Sequence, residues 1–187
     1  DHIQSLIARE RAAYDRMSGT ITRTLAIVKA KQDTSTHPVD LNELIAGLVD
    51  YFNTDLELKR GVHLKLDLTK QKLIIQVQPL ELCEVIENLI RNSREAMMDL
   101  EMDHMKVIEL STFVDDVPGF VIRDNGPGMN DFASCSNDEC RQYFAIGKTT
   151  KEGGTGLGVP FVLEAAKSNG WDISMSNVPR GGAETKI

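Results

Sequence analysis

The sequence lacks a long apolar run, a cysteine framework and an excess of positive charge. No stretch approaches the roughly 18 apolar residues that a membrane-spanning helix needs, so we expect no direct membrane contact by this chain. Only three cysteines occur among 187 residues, namely Cys83, Cys135 and Cys140. An odd number without a recognisable spacing is typical of a reducing compartment, and it predicts a cytoplasmic location.

An excess of acidic residues narrows the classes of partner further. The chain has 28 Asp and Glu against 21 Lys and Arg, and its formal net charge is −7. Such a protein has no general attraction for nucleic acid or for an anionic membrane surface. We therefore expect no nucleic-acid partner, and a phosphate ligand would need local hydrogen-bond donors.

Residues 3–33 are predicted as one long helix that precedes the main domain. Ile7, Tyr14, Ile21 and Val28 recur every seven residues, which is a partial heptad seam. A helix of this length extends about 45 Å, too far to bury its apolar stripe against one small domain. The pattern therefore favours dimerisation over an amphipathic helix that folds back on the core.

The rest of the chain alternates between predicted helices and strands. Residues 32–38 are polar and predicted as a linker, after which Asp40 and Glu43 are predicted to begin a helix as a capping box. We expect helices at 41–59, 80–98 and 156–168, and strands at 62–68, 73–77, 106–114, 119–123, 172–176 and 183–187. This order predicts the α+β class with a mostly antiparallel sheet. The remaining segment, 125–155, is too long for a plain connector.

Two asparagines lie four residues apart in the helix predicted at 80–98. Asn88 and Asn92 therefore project from one face of a helix whose other face is apolar. An amide oxygen is a suitable Mg²⁺ ligand when the phosphates of a substrate supply further oxygens. The alternative is a structural pair that ties down a neighbouring loop, and the residues alone leave both interpretations open.

A carboxylate and two glycines follow the strand predicted at 119–123. Asp124 at a strand end can accept a hydrogen bond from an exocyclic amine such as N6 of adenine, while Gly126 and Gly128 let the backbone approach a flat ligand closely. A tight turn is the alternative. A calcium loop is excluded, because the alternating oxygen ligands and the distal glutamate are missing.

A glycine-rich segment opens the helix predicted at 156–168. Its amide groups at a helix N-terminus favour phosphate binding, and a plain glycine-rich helix cap is the alternative. A P-loop is excluded because Gln142 stands where the leading glycine would be, and a dinucleotide fingerprint is excluded by Val159. The segment consists of Gly153, Gly154, Thr155, Gly156, Leu157 and Gly158.

Taken in order, these motifs resemble those of the GHKL superfamily of ATPases and kinases, and most closely the catalytic domain of sensor histidine kinases. Asn88–Asn92 is similar to the asparagine box, Asp124–Gly128 to the first glycine box and Gly154–Gly158 to the second. Tyr143-Phe144 with Lys148–Lys151 resembles the phenylalanine box. The resemblance covers essentially the whole chain.

The resemblance implies a two-layer α/β sandwich, the Bergerat ATP-binding fold, at residues 37–187 with a lid over ATP at about 129–153. Residues 1–36 would be the second helix of a dimerisation hairpin and its linker. ATP and Mg²⁺ are the implied cofactors, with Asn92 as metal ligand and Asp124 as the carboxylate that reads adenine. The implied nucleotide-binding residues are Asn88, Asn92, Asp124, Gly126, Gly128, Phe144, Lys148, Thr149, Thr150, Gly154, Thr155, Gly156, Leu157 and Gly158.

The activity implied is transfer of the γ-phosphoryl group of ATP to a histidine. Asn88 with Lys148 or Lys151 would be catalytic, and the choice of lysine stays open because the insertion Ala145–Gly147 departs from the family's spacing. Two arginines are further candidates, with a solvated helix face as the alternative: Arg91 and Arg94. Hydrolases of this superfamily carry a glutamate at position 88, and an amide cannot act as a general base. This favours a kinase over a hydrolytic GHKL ATPase or a non-catalytic scaffold.

The histidine that accepts the phosphoryl group is not identified in this sequence. None of the four histidines matches the family's acceptor motif: His2, His37, His63 and His104. We therefore expect a fragment that binds ATP and does not phosphorylate itself, with a response regulator as partner and a homodimer through the amino-terminal helix in the full-length protein. A zinc site from His104, Cys135 and Cys140 matches no standard spacing, and we expect both cysteines to be lid thiols.

Overall fold

A computed structural model describes residues 34–54, 61–98, 105–129, 133–144, 156–179 and 181–187. The predicted heptad helix at 3–33 lies outside these residues. The strands are β1 (His37–Asp40), β2 (Val62–Asp67), β3 (Ile74–Val77), β4 (Lys106–Val114), β5 (Pro118–Asp124), β6 (Ser134–Ser136), β7 (Ser174–Asn177) and β8 (Ala183–Lys186). The helices are α1 (Leu41–Thr54), α2 (Pro79–Met98), α3 (Asn137–Tyr143) and α4 (Gly158–Asn169). None of these helices is long and apolar enough to cross a membrane.

Six strands form the main sheet in the order β2-β4-β5-β8-β7-β6, and β1 pairs with β3 in a separate two-stranded sheet. The β2–β4 pair is parallel, whereas the other pairs of the main sheet are antiparallel. The predicted α+β class and the mostly antiparallel sheet are therefore confirmed. The register sets Asp124 at the end of β5 opposite Ile108 of β4.

The core lies between one face of the main sheet and the helices. Because side chains alternate along a strand, Ile108 and Leu110 of β4 and Ile122 of β5 point to the same face, and all three are buried. Helix α2 begins at Pro79, where the missing amide hydrogen is no loss. Its apolar side chains at helical spacing are buried on that face: Leu82, Val85, Ile86, Leu89 and Ile90.

Two parts of the sequence form structure that its pattern does not predict. Residues 37–40, at the end of the predicted linker, form strand β1, because backbone pairing with β3 supplies hydrogen bonds that no local pattern records. Strand β6 and helix α3 form inside the segment 125–155, for which the sequence predicts no helix or strand. The predicted N-cap of α1 is present, since the Asn42 backbone amide donates to Asp40 Oδ1 at 3.1 Å, and the reciprocal bond to Glu43 stays a prediction.

The prediction that Cys135 and Cys140 are thiols is wrong, because the structure joins them in a disulfide with 5.1 Å between their Cα atoms. Cys135 lies in β6 and Cys140 in α3, so the bond ties this helix to the edge strand. Cys83 is buried and takes no part in it. The pair also removes the basis on which the cysteine count predicted a reducing compartment.

Candidate functional site

Asp124 is the centre of a hydrogen-bonded cluster at the end of β5. Its side chain is on the inner face of the sheet, and the residue is only 6% exposed. Its Oδ1 accepts hydrogen bonds from the amides of Gly126 at 2.9 Å and Ala183 at 3.1 Å. One carboxylate oxygen therefore joins the loop after β5 to the start of β8. Both of these bonds fall on Oδ1.

Glycines bring the backbone unusually close to Asp124. A Cβ at Gly182 would lie 1.9 Å from the Asp124 carbonyl oxygen, and its φ of 103° also disfavours other residues. A Cβ at Gly126 would lie 2.8 Å from Cγ of Met97, which is on α2. The loop after β5 therefore packs directly on the helix that carries the two asparagines.

Asn125 holds this loop to the start of β4, a role that the sequence did not predict. Its Oδ1 accepts from the Val107 amide at 2.8 Å, and its Nδ2 donates to the Met105 carbonyl at 2.8 Å. The Asn125 amide also donates to the Val107 carbonyl at 3.2 Å. The side chain thus extends the β4–β5 pairing by one position beyond Asp124.

The asparagines of α2 meet the glycine-rich start of α4. A Cβ at Gly158 would lie 3.2 Å from Asn88 Oδ1 and 3.3 Å from Asn92 Oδ1. Glycine at this position therefore leaves a space next to both amide oxygens. Asn88 is oriented by a hydrogen bond from its Nδ2 to the Glu84 carbonyl, 2.8 Å away. The donor set suits a hard cation, because amide oxygens are Mg²⁺ ligands.

Helix α2 connects the two halves of the site. From Asn88 to Met97 the helix rises about 14 Å at ~1.5 Å per residue. The amide oxygens therefore lie about one and a half to two and a half turns from the point where Met97 supports the loop after Asp124. This arrangement brings together the asparagine, first glycine and second glycine motifs of the sequence.

The remaining candidates are distributed around this centre. Phe144 follows α3 and packs against the core. Its backbone amide donates to the Cys140 carbonyl at 2.9 Å. The ring of Tyr143 lies edge-on to the Phe144 ring, with 4.9 Å between the two ring centroids. Gly156 has a φ of 64°, and Leu157 before α4 is 53% exposed. On α2, Arg91 is exposed and Arg94 is half-buried. Six candidates lie outside the described residues: Lys148, Thr149, Thr150, Lys151, Gly154 and Thr155.

The outer face of the sheet has different chemistry. A depression of about 370 Å³ there is lined by residues that include Phe113, Arg123 and Lys186. Since Arg123 and Asp124 are consecutive in a strand, their side chains point to opposite faces, so this depression is separate from the Asp124 cluster. At its margin, the hydrogen bond and the negative charge of Glu109 raise the pKa of Lys65.

Among the described residues, no group of three or more His, Cys, Asp or Glu side chains is arranged to hold a metal ion. His104 lies outside the described residues.

Comparison with known families supplies the deciding observation. The model of the histidine kinase-, DNA gyrase B- and HSP90-like ATPases matches residues 77–187, from the end of β3 through the last strand. This match includes Asn88, Asn92, Asp124 and Gly158. The chain belongs to this ATPase family. The predicted GHKL relationship is thereby confirmed.

Individual members of the family match over most of the chain. The sensor protein QseC of Escherichia coli is 30% identical over 156 residues, which are 83% of this chain and 32% of QseC. The chain thus spans about a third of the length of that relative. The mycobacterial sensor histidine kinase MprB has a similar structure, with a TM-score of 0.63 at 16% identity, over 82% of this chain and 95% of MprB. Full-length ShkA in complex with AMPPNP aligns with 98% of this chain and 37% of its own, with a TM-score of 0.64 at 18% identity.

Proposed function

We propose that this GHKL domain is the ATP-binding catalytic domain of a sensor histidine kinase. It would transfer the γ-phosphoryl group of ATP to a histidine that this chain does not contain. The observation that carries the proposal is the buried Asp124 carboxylate, whose Oδ1 accepts from the backbone amides of Gly126 and Ala183. Its Oδ2 would accept from the ligand. Similarity to QseC supports the same activity, and the ShkA complex shows that a structural neighbour binds an ATP analogue.

The proposed role of Asp124 is to distinguish adenine from guanine. The exocyclic N6 of adenine is a donor, and it would complement a carboxylate oxygen. Guanine presents the acceptor O6 at the equivalent position, so the buried charge would remain without a donor. Such a mismatch costs about 1–3 kcal/mol or more. Gly126 and Gly128 would form the wall next to the base.

The proposed phosphate end lies between α2 and α4. Asn92 would hold Mg²⁺ together with phosphate oxygens, and the ion would neutralise charge on the transferring phosphoryl group. The amide groups around Gly156, Leu157 and Gly158 at the start of α4 would donate to phosphate. The second-box residues Gly154 and Thr155, with Thr149 and Thr150, remain proposed contacts, as do Lys148 and Lys151.

Asn88 supports transfer to a protein acceptor over hydrolysis. An amide has no titratable base to remove a proton from water, and the side chain is already held by the Glu84 carbonyl. The proposed catalytic role of Asn88 is therefore to orient groups at the phosphate end.

The wider assignments also rest on the similarity to sensor kinases. We propose a lid at about 129–153, which would include β6, α3 and Phe144, and a domain boundary near residue 37. A response regulator, a homodimer through residues 1–36 and a cytoplasmic location, where ATP is available, complete the proposal.

The test of the proposed function compares Asp124→Asn with Asp124→Ala. Asparagine keeps Oδ1 as acceptor for the backbone amides of Gly126 and Ala183, and it places an NH2 group at the position of Oδ2. We expect Asp124→Asn to retain the fold and to weaken ATP by about tenfold or more, since two donors would face each other. Asp124→Ala should lose both affinity and stability.

Calorimetric titration with ATP and GTP and thermal unfolding without nucleotide provide the measurements. The unchanged chain should prefer ATP, and Asp124→Asn should reduce or reverse that preference. Equal ATP and GTP affinity in the unchanged chain would contradict the assignment of Asp124, and no binding of either would contradict the proposed function.

A further inference from the structure

Asn177, the last residue of β7, makes a set of contacts that the sequence motifs do not include. Its Oδ1 accepts from the Met129 amide at 2.7 Å, and its Nδ2 donates to the Met129 carbonyl at 2.8 Å. One planar amide therefore satisfies both backbone groups of one residue, as a neighbouring strand would. The backbone amide of Asn177 donates to the Ala133 carbonyl at 3.1 Å.

The same side chain also packs against the first glycine motif. Gly128 has a φ of 78°, and a Cβ there would lie 2.8 Å from Asn177 Oδ1 and 3.2 Å from the Gly182 carbonyl oxygen. The backbone of Gly128 and Met129 therefore lies between the Asn177 side chain and the segment before β8. A side chain at position 128 would displace it.

Asn177 is linked to Asp124 through a short path of backbone contacts. It pairs with Ala183 across the β7–β8 ladder, and the Ala183 amide donates to Asp124 Oδ1 at 3.1 Å. The β7–β8 pair therefore carries both Ala183, which supports the Asp124 carboxylate, and Asn177, which supports the loop after it.

We propose that Asn177 is a positioning residue of the nucleotide site, which fixes the Gly128-Met129 backbone beside Asp124. This inference rests on the proposed function, because it assigns the Gly126–Met129 loop to the base end of the nucleotide. Few side chains could replace it. Aspartate has no donor for the Met129 carbonyl, serine is too short to meet both groups, and glutamine is one methylene longer.

The expected consequence is a loss of affinity through preorganisation. Without the Asn177 side chain, the backbone groups of the half-buried Met129 exchange their two hydrogen bonds for hydrogen bonds to water. The loop then samples other conformations. The apparent dissociation constant rises as the fraction of binding-competent loop falls. Two lost hydrogen bonds correspond to a loss of about tenfold.

The experiment measures the Kd of ATP and ADP for the unchanged chain, Asn177→Ala and the control Asn42→Ala, with Mg²⁺ and with EDTA. Asn42 has comparable bonds elsewhere: its Nδ2 donates to the Thr69 and Gln71 carbonyls at 3.0 and 2.8 Å, and its Oδ1 accepts from Thr112 at 2.7 Å. We expect Asn177→Ala to weaken ATP and ADP by the same factor with or without Mg²⁺, because the change affects the base end. Asn42→Ala should lower the Tm at least as much and change Kd by less than about twofold.

Amide hydrogen exchange in the nucleotide-free chain tests the contact by itself. Asn177→Ala should accelerate exchange at the Met129 amide, and Asn42→Ala should not. If Asn177→Ala does not fold, Asn177→Asp takes its place, since it keeps the acceptor for the Met129 amide and should still weaken both nucleotides.

The outcomes separate this inference from the proposed function. Equal ATP affinity of the unchanged chain and of Asn177→Ala would refute the role of Asn177 but not the proposed function. Unchanged exchange at Met129 would refute this role as well. Absence of ATP and ADP binding by the unchanged chain would refute the proposed function together with the inference that depends on it.

Discussion

On the inner face of the six-stranded sheet, β4 and β5 place Ile108, Leu110 and Ile122 beneath the helices, whereas on the outer face the same strands place Glu109 and Arg123 toward solvent. The inner side chains are at most 3% exposed. The outer ones form ion pairs, Lys65 with Glu109 and Arg123 with Glu184. One alternating pattern thus produces a packed core on one side and a solvated charged surface on the other.

The comparison explains why the candidate site lies where it does. Asp124 is the charged residue that the alternation places on the inner face at the end of β5, and it is as buried as the core around it. A carboxylate in that position needs donors, which Gly126 and Ala183 supply to one of its oxygens. The outer carboxylates of Glu109 and Glu184 are partly exposed and each pairs with a cation instead.

Truncation of the inner face should have the largest effect on stability. Leu110 is fully buried, so Leu110→Ala is expected to lower the free energy of unfolding by about 2–5 kcal/mol through lost transfer energy and the resulting cavity. Val121→Ala, on the outer face of the neighbouring strand, is the matched control and should cost clearly less. Urea unfolding of both variants measures this. Equal losses would mean that the outer face is covered.

The disulfide at the edge of the sheet should have the next largest effect. Cys135 and Cys140 are five positions apart in the sequence, and a disulfide across so short a loop corresponds to about 2 kcal/mol of stabilisation in the chain-entropy account. Dithiothreitol should therefore lower the urea midpoint of the unchanged chain and leave that of a Cys135→Ala, Cys140→Ala variant unaltered. An unchanged urea midpoint in reductant would contradict the stabilising role of this disulfide.

The sequence predicted those helices and strands in which a periodic pattern of apolar residues extends over many positions. Strand β4 has the predicted bounds, since three inward apolar or small side chains alternate with outward ones over nine residues. Helix α2 differs from its prediction by one residue at its start. Strand β6, with only Ser134, Cys135 and Ser136, has no apolar alternation, and its existence depends on pairing with β7.

The same distinction applies to the site. Asp124, Asn88 and Asn92 could be selected because each belongs to a local motif. Asn177 could not, because its partner Met129 is 48 positions away in the sequence. The close approach of Gly182 to Asp124 likewise depends on the β5–β8 pairing. Side chains that support a site through long-range contacts carry no local signal.

On α2, which covers the inner face, Asn92→Ala should have a smaller effect that depends on the metal. Replacement removes one oxygen ligand and leaves the ion to water and phosphate, so ATP affinity with Mg²⁺ should fall by about tenfold, or ~1.4 kcal/mol. Affinity in EDTA should be unchanged. Calorimetry under both conditions is the measurement. A variant with the full Mg²⁺ dependence of the unchanged chain would show that Asn92 is structural.

The smallest effect is expected from Arg123→Ala on the outer face, although Arg123 is the sequence neighbour of Asp124. Its Nε donates to Glu184 Oε2 at 2.8 Å, but its side chain is 51% exposed, and exposed ion pairs contribute only about 0.2–1 kcal/mol. The loss should shrink in high salt, because the charges are screened. ATP affinity should be unaltered, since the guanidinium and the carboxylate lie on opposite sides of the sheet. Unfolding at low and high salt and an ATP titration measure these effects. A large loss of affinity would mean that the two faces of the sheet are coupled at the end of β5.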